Sequence, residues 1–316
     1  MRNDHYTFTA EDGTPIFVYR WRPDVGIGKG MVHIAHGLAE HAGRYENFAE
    51  ELTSSGYVVC SNDHRGHGRT AQSQADLGFF GEKNGWDLVI RDTVRLCRAE
   101  KAEQPGLPLI LYGQSLGSIL AQQLIYEHGD LYDAVAMSAC NGEVNGLVQI
   151  GRWIARWERL RQGKRGRSDL INRLSFDAFN KPFEPNRTSF DWLSRDDAEV
   201  DNYIGDSLCG FVSTNQLWVD LLDATVAIAR HENHRRIPRE LPIFLLTGSD
   251  DPVNQNGQGC VKLAESYRQA GLRNVSYKIY PNARHELLHE INRQEVTENF
   301  IEWLECLRSL ARAAQG

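Results

Sequence analysis

The segment 109–127 constrains this chain most, because it combines a short apolar run, a serine between two glycines and a helical pattern. The sequence G-x-S-x-G at 113–117 follows the apolar run Leu109–Tyr112 and precedes a helix predicted over Ile119–Glu127. A strand, a tight turn and a helix in this order project the hydroxyl of Ser115 from the carboxyl edge of a sheet. The start of the helix then favours developing negative charge. The alternative is a serine that only caps a helix beside structural glycines.

Short apolar strands and helices alternate along most of the remaining chain. A hairpin is predicted over 5–21, because two aromatic and β-branched runs flank the tight-turn pair Asp12-Gly13. The other predicted strands are 31–37, 57–63, 107–115, 133–138, 242–251 and 274–281, and the predicted helices include 45–55, 86–101, 119–127 and 297–311. This alternation is typical of an α/β fold, here with a mostly parallel eight-stranded sheet flanked by helices.

The alternation stops between about residues 141 and 240, where the chain has a helical pattern and is rich in Arg and Trp. We predict that residues 1–140 and 241–316 form the core domain, and that residues 141–240 form a helical cap, or lid, inserted into it. The basic, glycine-containing segment Gln162–Asp169 is expected to be a mobile loop.

Composition and charge exclude several classes of protein. The 316 residues are 41% hydrophobic, unlike a disordered chain, and the net charge of -7 is unlike that of a nucleic-acid binder. No apolar stretch approaches the ~20 residues of a membrane span, and the N-terminus has no signal-peptide core. The six cysteines are scattered singly, without the close pairs of zinc sites. We therefore expect reduced thiols and a cytoplasmic protein, with any membrane contact peripheral.

A serine hydroxyl is a weak nucleophile, so it needs a base, and the base needs an orienting group. In a strand–turn–helix site of this kind, the acid and then the histidine follow the serine in the chain. His285 follows the last predicted strand and is the predicted base, with His289 as the second candidate. Asp250 and Asp251 end the preceding strand, and we favour Asp251 as the acid, with Asp250 as the alternative. The other aspartate is expected to cap the following turn.

The loop His36–His41 follows the first predicted parallel strand and can supply an amide donor to an oxyanion. We predict that the backbone N–H groups of Leu38 and Leu116 form an oxyanion hole. Four histidines and Asp63 suggest a metal site: His36, His41, His64 and His67. They lie at the ends of two strands without the ligand spacing typical of zinc. We therefore predict structural hydrogen bonds there, no metal and no cofactor.

Five segments in order along the chain carry a family resemblance: HGLAEHAGRY (36–45), NDHRGHGRT (62–70), GQSLGS (113–118), GSDDPV (248–253) and YPNARHELLHE (280–290). They resemble the monoacylglycerol lipase and lysophospholipase group of α/β-hydrolases, which overlaps the serine aminopeptidase family. The resemblance implies the α/β-hydrolase fold, a triad of Ser115, Asp251 and His285, and a cap over an acyl pocket. The chain departs from the group at Gln114, where His is usual, and at Ser118, where Gly is usual.

The cap segment offers aromatic candidates for substrate binding, because a cap over a catalytic serine usually supplies the apolar wall of the pocket. The candidates are Trp153, Trp157, Phe179 and Trp192. A helix over 147–167 would have one apolar face, with arginines on the opposite face. We favour an ordinary cap helix whose apolar face packs on the core domain and whose arginines are solvated. The alternative is weak peripheral contact of 147–167 with an anionic membrane or micelle surface.

Together these features predict a serine hydrolase that cleaves carboxylic esters of single acyl chains, of the monoacylglycerol or lysophospholipid type, through an acyl-enzyme. The alternative with the same triad is a broad small-molecule carboxylesterase or thioesterase. A peptidase and a non-catalytic ligand-binding protein of this fold are the remaining hypotheses. A small acyl ester is the expected partner, and nucleic acid is not expected.

Overall fold

The computed structural model describes residues 1–24, 26, 28–142, 144 and 146–313, and it contains one eight-stranded sheet. The strands are β1 Arg2–Thr9, β2 Pro15–Arg22, β3 Met31–Ala35, β4 Val58–Asn62, β5 Leu109–Gln114, β6 Ala134–Ser138, β7 Ile243–Gly248 and β8 Val275–Tyr280. The predicted fold class and strand number are confirmed. The predicted core and cap ranges include residues 25, 27, 143, 145 and 314–316, which lie outside the described part. The boundaries of the two domains remain predictions.

The strands lie in the order β1-β2-β4-β3-β5-β6-β7-β8. β1 and β2 form the predicted hairpin, with Thr9 opposite Pro15, and β2 is also antiparallel to β4. The other neighbouring strands are parallel. The carboxyl ends of β3 to β8 therefore meet at one edge of the sheet, where an α/β protein usually binds its ligand. The loops after β5, β7 and β8 carry Ser115, Asp251 and His285 to this edge.

The described helices are α1 Glu46–Ser54, α2 Gly85–Glu103, α3 Leu116–His128, α4 Gly146–Gln162, α5 Asp169–Asn172, α6 Ala178–Asn180, α7 Asp197–Gly205, α8 Asn215–Ile228, α9 His231–His234, α10 Gln258–Gln269 and α11 Arg293–Ala313. α1 and α11 pack on one face of the sheet, where the rings of Phe48 and Phe300 lie 5.5 Å apart. α2, α3 and α10 pack on the other face, around Leu120 and Leu263. None of the described helices has the length and apolar character needed to cross a membrane.

The segment 141–240 contains α4 to α9 and, among its described residues, no strand. It leaves the sheet after β6 and returns to it at β7, and several of its residues line a cavity beside Ser115. Its basic part, Gln162–Asp169, is tied to the core. Arg165 bonds to Asp76 at 3.0 Å, and a further bond joins Arg165 to Glu82 at 3.4 Å. These contacts oppose the mobility that we expected for this loop.

The expectation that the apolar face of α4 packs on the core is wrong. Ile154 is partly buried against the core, but the other five apolar side chains of this face are exposed: Leu147, Ile150, Trp153, Trp157 and Leu160. The opposite face packs against α8, where Arg152 and Arg156 each bond to Asp223 at 2.8 Å. Ala155 and Glu158 are buried on that side. Because the arginines are engaged by α8, the apolar stripe is left facing solvent.

All six cysteines are free, and five of them are buried. This confirms that the chain forms no disulfide framework. Burial raises the pKa of Cys97 to about 12, so this thiol is not ionised near neutral pH. Cys306 alone among the six is exposed, on α11 and away from Ser115.

Candidate active site

Ser115 occupies the tight turn between β5 and α3. Its φ is +52°, in the left-handed region that non-glycine residues rarely adopt, and its amide donates to the carbonyl of Ser138 at 3.0 Å. A Cβ on Gly113 would lie 2.4 Å from the carbonyl oxygen of Gly117, and a Cβ on Gly117 would lie 1.9 Å from that of Ala35. The glycine at 113 is therefore required by backbone within this turn, and the glycine at 117 by the close approach of the neighbouring strand β3.

Ser115, His285 and Asp251 form a series of hydrogen bonds. The Nε2 atom of His285 lies 2.9 Å from Ser115 Oγ, and its Nδ1 atom lies 2.9 Å from Asp251 Oδ1. Both His285 and Asp251 are buried. The structure thus brings together the three residues that the sequence singled out, in the arrangement of a nucleophile, a base and an orienting acid.

Asp250, the alternative acid, lies outside this series of hydrogen bonds. Its carboxylate accepts from the hydroxyl of Ser249 at 2.9 Å. Asp251 itself caps the following turn, because its Oδ1 also accepts from the amide of Val253 at 3.0 Å. The expectation that the other aspartate would cap this turn is therefore wrong. One carboxylate oxygen of Asp251 serves both the turn and the imidazole.

His289, the second candidate for the base, has other partners. Its Nε2 atom lies 3.2 Å from the carbonyl oxygen of Arg44, and its Nδ1 atom lies 3.5 Å from Glu286. It ends the short 3-10 turn Leu287–His289. These contacts place it behind the base and away from the hydroxyl of Ser115.

The surroundings of His285 act on its pKa in opposite directions. Burial lowers the pKa, whereas the charge and hydrogen bond of Asp251, with contributions from Glu286 and Glu40, raise it. The net result is a pKa above the ordinary value for histidine. The ring of Trp192 covers the imidazole, with 4.9 Å between ring centres. The protonated ring, which is the form that a general base becomes in the transition state, is therefore favoured.

Two backbone amides beside the nucleophile are available as oxyanion donors. Leu116 is the first residue of α3, and within the described residues neither its N–H nor that of Leu38 has a hydrogen-bond partner. His36 holds the peptide between Gly37 and Leu38, because its Nδ1 donates to the Gly37 carbonyl at 2.8 Å. The Nε2 atom of the same ring accepts from the His64 amide at 3.0 Å. The carbonyl and N–H of one trans peptide point in opposite directions, so the Leu38 N–H points away from His36. The oxyanion hole itself remains a prediction.

The other histidines that suggested a metal site also make structural hydrogen bonds. His67 Nδ1 donates to the carbonyl of Arg65 at 2.9 Å, and burial lowers the pKa of His67 to about 4. Asp63 accepts from the amides of Ala42 at 2.8 Å and of Arg69 at 2.6 Å. These bonds agree with the structural role that we predicted for this group of residues.

Three possible metal ligands meet at a different place, where ligand atoms of His41, Asp206 and Cys209 lie within 4.8 Å of one another. Both ring nitrogens of His41 are already engaged. Nδ1 accepts from the amide of Gly43 at 3.2 Å, and Nε2 donates to Asp206 at 2.8 Å. Burial raises the pKa of Cys209 far above the ordinary value for a thiol. This cluster joins the cap segment to the core loop, and we assign no metal to it.

A cavity of about 220 Å³ lies beside Ser115, between the core and the cap segment. Its apolar lining includes Phe176, Phe179, Trp192, Trp218, Leu221 and Leu222. Phe179 and Trp192 are thus among the lining residues. Trp153 and Trp157 are not, because they lie on the exposed face of α4, so their assignment to substrate binding is wrong.

Arg44 and Glu286 lie beside the site and were not singled out by the sequence analysis. The Arg44 side chain is 9% exposed, and its guanidinium bonds to Glu40 at 2.6 Å and to Glu286 at 2.7 Å. A signal was present, because Glu40 and Arg44 are four residues apart and Glu286 directly follows the predicted base. Spacing alone could not show that these three charges meet, since Glu286 is 242 residues away from Arg44 in the chain.

The chain is similar to known proteins along most of its length. The family described as "Serine aminopeptidase, S33" matches residues 27–292. The chain is 26% identical over 306 residues to the monoacylglycerol lipase of Mycolicibacterium smegmatis, covering 96% of this chain and 97% of that protein. It is 27% identical over 291 residues to the monoglyceride lipase of Homo sapiens, covering 89% and 86%. A carboxyl esterase from Bacillus coagulans, solved with glycerol, has the same fold: the TM-score is 0.89 at 24% identity, over 97% of this chain and 99% of that one.

Proposed function

The chain belongs to the serine aminopeptidase S33 family of α/β-hydrolases and is a carboxylic ester hydrolase; on this premise we propose that it cleaves esters of a single acyl chain, of the monoacylglycerol or lysophospholipid type. The observation that carries the proposal is the hydrogen-bonded series of Ser115, His285 and Asp251 at an apolar cavity. The names of the lipase relatives support the monoacylglycerol type of substrate.

In the proposed reaction, Ser115 Oγ attacks the ester carbonyl carbon while His285 Nε2 takes the hydroxyl proton. Asp251 holds the ring with Nδ1–H toward its own carboxylate and stabilises the imidazolium. The carbonyl oxygen becomes negatively charged and accepts hydrogen bonds from the amides of Leu38 and Leu116. Loss of one such donor typically costs about 3–4 kcal/mol of transition-state stabilisation.

The tetrahedral intermediate collapses when the imidazolium of His285 gives its proton to the leaving alcohol, and the acyl group remains on Ser115 as an ester. Water then attacks the acyl carbon while His285 takes its proton. Collapse of the second intermediate returns a proton to Ser115 Oγ and releases the carboxylic acid. Each proton transfer uses His285, so the scheme calls for no metal or organic cofactor.

The volume of the cavity favours a second candidate, a carboxylesterase for short acyl chains. At about 220 Å³ the cavity is smaller than the ~300–1,000 Å³ of typical small-molecule sites. A long acyl chain therefore requires displacement of cap residues such as Phe179 or Trp218, whereas a short chain does not. The two candidates differ in the acyl length that gives the highest kcat/KM.

A substrate panel tests the choice between them. We would compare p-nitrophenyl esters from acetate to palmitate with a monoacylglycerol, a lysophospholipid and an acyl-CoA of matched chain length. Efficient cleavage of the monoacylglycerol or the lysophospholipid supports the main proposal. A maximum at the shortest esters without cleavage of either lipid supports the carboxylesterase, and a preference for acyl-CoA supports a thioesterase.

Ser115→Ala is the control in every assay. It should lose both ester hydrolysis and labelling by a fluorophosphonate, because both reactions need the same hydroxyl. Retention of more than a few per cent of the wild-type rate would overturn the acyl-enzyme proposal. A wild-type protein that neither hydrolyses the panel nor takes the label would be a ligand-binding protein.

We also propose that α4 contacts a membrane or micelle surface through its apolar stripe. Trp153 is 72% exposed and Leu160 is 82% exposed, and their neighbours on the stripe are exposed as well. A contiguous exposed apolar face of this kind marks an interaction site more often than scattered single residues do. Val148, on the same helix, lines the cavity, so a lipid that leaves the surface would enter close to Ser115.

The charge part of this hypothesis needs revision. Arg152 and Arg156 bond to Asp223, and Arg161 bonds to Glu158 at 2.8 Å. Because these partners offset much of the positive charge, the electrostatic attraction between α4 and anionic lipid headgroups is weak. We therefore propose that the contact is mainly apolar and depends weakly on the charge of the surface.

A further inference from the structure

We propose that Arg44 is a positioning residue for hydrolysis, holding the loop of the predicted oxyanion donor Leu38 against the loop of the base His285. The inference rests on the proposed function, because its readout is the rate of acyl transfer at Ser115. It goes beyond that function by assigning a role to the network of Arg44, Glu40 and Glu286, which forms no hydrogen bond with the nucleophile or the acid.

The guanidinium of Arg44 joins two loops that are distant in the chain. Its Nη1 donates to Glu40 Oε2 at 2.6 Å and to Glu286 Oε1 at 2.8 Å, and its Nη2 donates to Glu286 Oε2 at 2.7 Å. The exposed fractions of the three side chains are 9%, 2% and 7% for Arg44, Glu40 and Glu286. A buried bidentate pair of this kind is directional, so it defines the separation of the two loops.

Glu40 connects Arg44 to the loop that carries the predicted donor Leu38. Its Oε1 accepts from the amide of Gly37 and from the hydroxyl of Tyr45, the latter at 2.9 Å. The peptide that follows this amide is the one whose N–H belongs to Leu38. A shift of the Glu40 carboxylate would therefore turn the predicted donor away from the oxyanion.

Glu286 relays the position of Arg44 to the loop of the base. It directly follows His285, and its amide donates to the carbonyl of Leu193 at 2.8 Å. On its far side His289 lies 3.5 Å from the same carboxylate. The main chain at the base is thus held between the cap segment and the guanidinium.

The network also brings charge to the base. Asp251, Glu286 and Glu40 face His285 with negative charge, and Arg44 and His289 lie behind them. Two carboxylates around one guanidinium leave an excess of negative charge, which favours the imidazolium formed during attack. Removal of the Glu286 charge should therefore weaken the base as well as loosen its loop.

Arg44→Lys tests the positioning role, with Arg65→Lys as a matched control. Arg65 is also buried between two carboxylates, with bonds of 2.6 Å to Asp12 and to Asp92, and it does not line the cavity. Lysine keeps the charge but cannot make the bidentate contact. We expect both variants to lower Tm. We expect only Arg44→Lys to lower kcat for p-nitrophenyl butyrate, by ~10- to 100-fold with KM little changed, because misplacement of reacting groups acts on the transition state.

Glu286→Gln provides a second readout that does not depend on the stability of Arg44→Lys. It keeps the size of the side chain and removes its charge, so the acid limb of the kcat/KM profile should move to lower pH than in the wild-type protein. An unchanged kcat in Arg44→Lys at a temperature where it is folded, or an unchanged acid limb in Glu286→Gln, would overturn the inference. Ser115→Ala distinguishes failure of the positioning role from failure of the proposed function. If Ser115→Ala is inactive while the Arg44 and Glu286 variants behave like the wild-type protein, only the positioning role is wrong.

Discussion

The side-chain amide of Gln114 donates to the backbone carbonyl of His285 at 3.1 Å. Gln114 is the residue before the nucleophile, so this bond joins the turn of Ser115 directly to the loop of the base. The group that the chain resembles usually has histidine at this position. The glutamine amide here satisfies a buried carbonyl that has no other donor within the described residues.

Gln114→Ala should therefore loosen the base without removing any reacting group. We expect kcat to fall by roughly 3- to 10-fold and Tm to fall by a few degrees, since an unsatisfied buried carbonyl costs about 1–3 kcal/mol. Gln114→His, which restores a ring N–H donor at this position, should recover most of the rate. Steady-state kinetics and thermal melts of both variants check this, and equal loss in the two would contradict it.

The two adjacent aspartates form a matched pair for testing the acid. Asp251→Asn should lower kcat by about 10³- to 10⁴-fold, because an amide favours the wrong tautomer of the imidazole. Asp250→Asn should change kcat by less than ~3-fold, because the Asp250 carboxylate bonds only to Ser249 among the described side chains. Circular dichroism would verify that both variants are folded. The reverse result would exchange the roles of the two residues.

The pH profile of kcat/KM should report the raised pKa of His285. The base must be neutral to accept the proton of Ser115, so activity is lost as pH falls through that pKa, with a midpoint above the ordinary histidine value of 6.5. Removal of the Asp251 charge should move the residual acid limb of Asp251→Asn to lower pH. The stability of the fold depends on pH in the opposite sense. Because the pKa of His285 is higher in the folded chain than in the unfolded chain, the pair of His285 and Asp251 stabilises the fold at a pH below the unfolded value. This stabilisation is lost as pH rises through the folded value. A wild-type midpoint below 6.5 would contradict the assignment.

Vesicle co-sedimentation tests the apolar stripe of α4. The triple variant Trp153→Ser, Trp157→Ser and Leu160→Ser should lose most of its binding to phosphatidylcholine vesicles and keep its kcat/KM for a soluble short-chain ester. Ile291→Ser, which removes a 60% exposed apolar side chain away from α4, is the control. Binding should be similar on neutral and anionic vesicles and only weakly sensitive to salt. Binding confined to anionic vesicles, or no binding at all, would contradict the proposal.

Asp220 on α8 provides a prediction about stability. Burial raises its pKa to about 6, although the bond from Gln216 lowers it, and its Oδ2 has no hydrogen-bond partner within the described residues. The folded chain then binds an extra proton between about pH 4 and pH 6, so stability is lost as pH rises through this range. Asp220→Asn should raise Tm at pH 8 by ~2–4 °C, which corresponds to about 1 kcal/mol, and change it little at pH 4.5. Asp223→Asn, which breaks the bonds to Arg152 and Arg156, should lower Tm at pH 8.

Several features of the fold and site could be predicted from local patterns. The hairpin, the six further strands and the main helices follow from the spacing of apolar residues, which reports the side chains that a strand or helix turns inward. The turn at Ser115 could be predicted from its two glycines, because a small residue on each side of a serine, between an apolar run and a helical pattern, is the local pattern of a tight strand–helix turn. Asp251 and His285 were found because the order of strands places successive loops at one edge of a sheet.

Other features depend on contacts that local patterns do not contain. Trp153 and Trp157 have the helical spacing of pocket residues, yet the bonds of Arg152 and Arg156 to Asp223 turn them outward. An amphipathic helix has two faces, and spacing shows that they differ without showing which one a neighbouring element will cover.

The sequence by itself determined the α/β architecture, the turn that presents Ser115 and the order of nucleophile, acid and base, because each follows from short-range sterics or from apolar periodicity. Only the tertiary structure decided which aspartate meets His285, which face of α4 is exposed, and that Arg44 joins Glu40 to Glu286. These contacts join residues that are tens to hundreds of positions apart. Their free energy depends on burial and on distances of a few ångströms, which exist only after the sheet and the cap segment have packed.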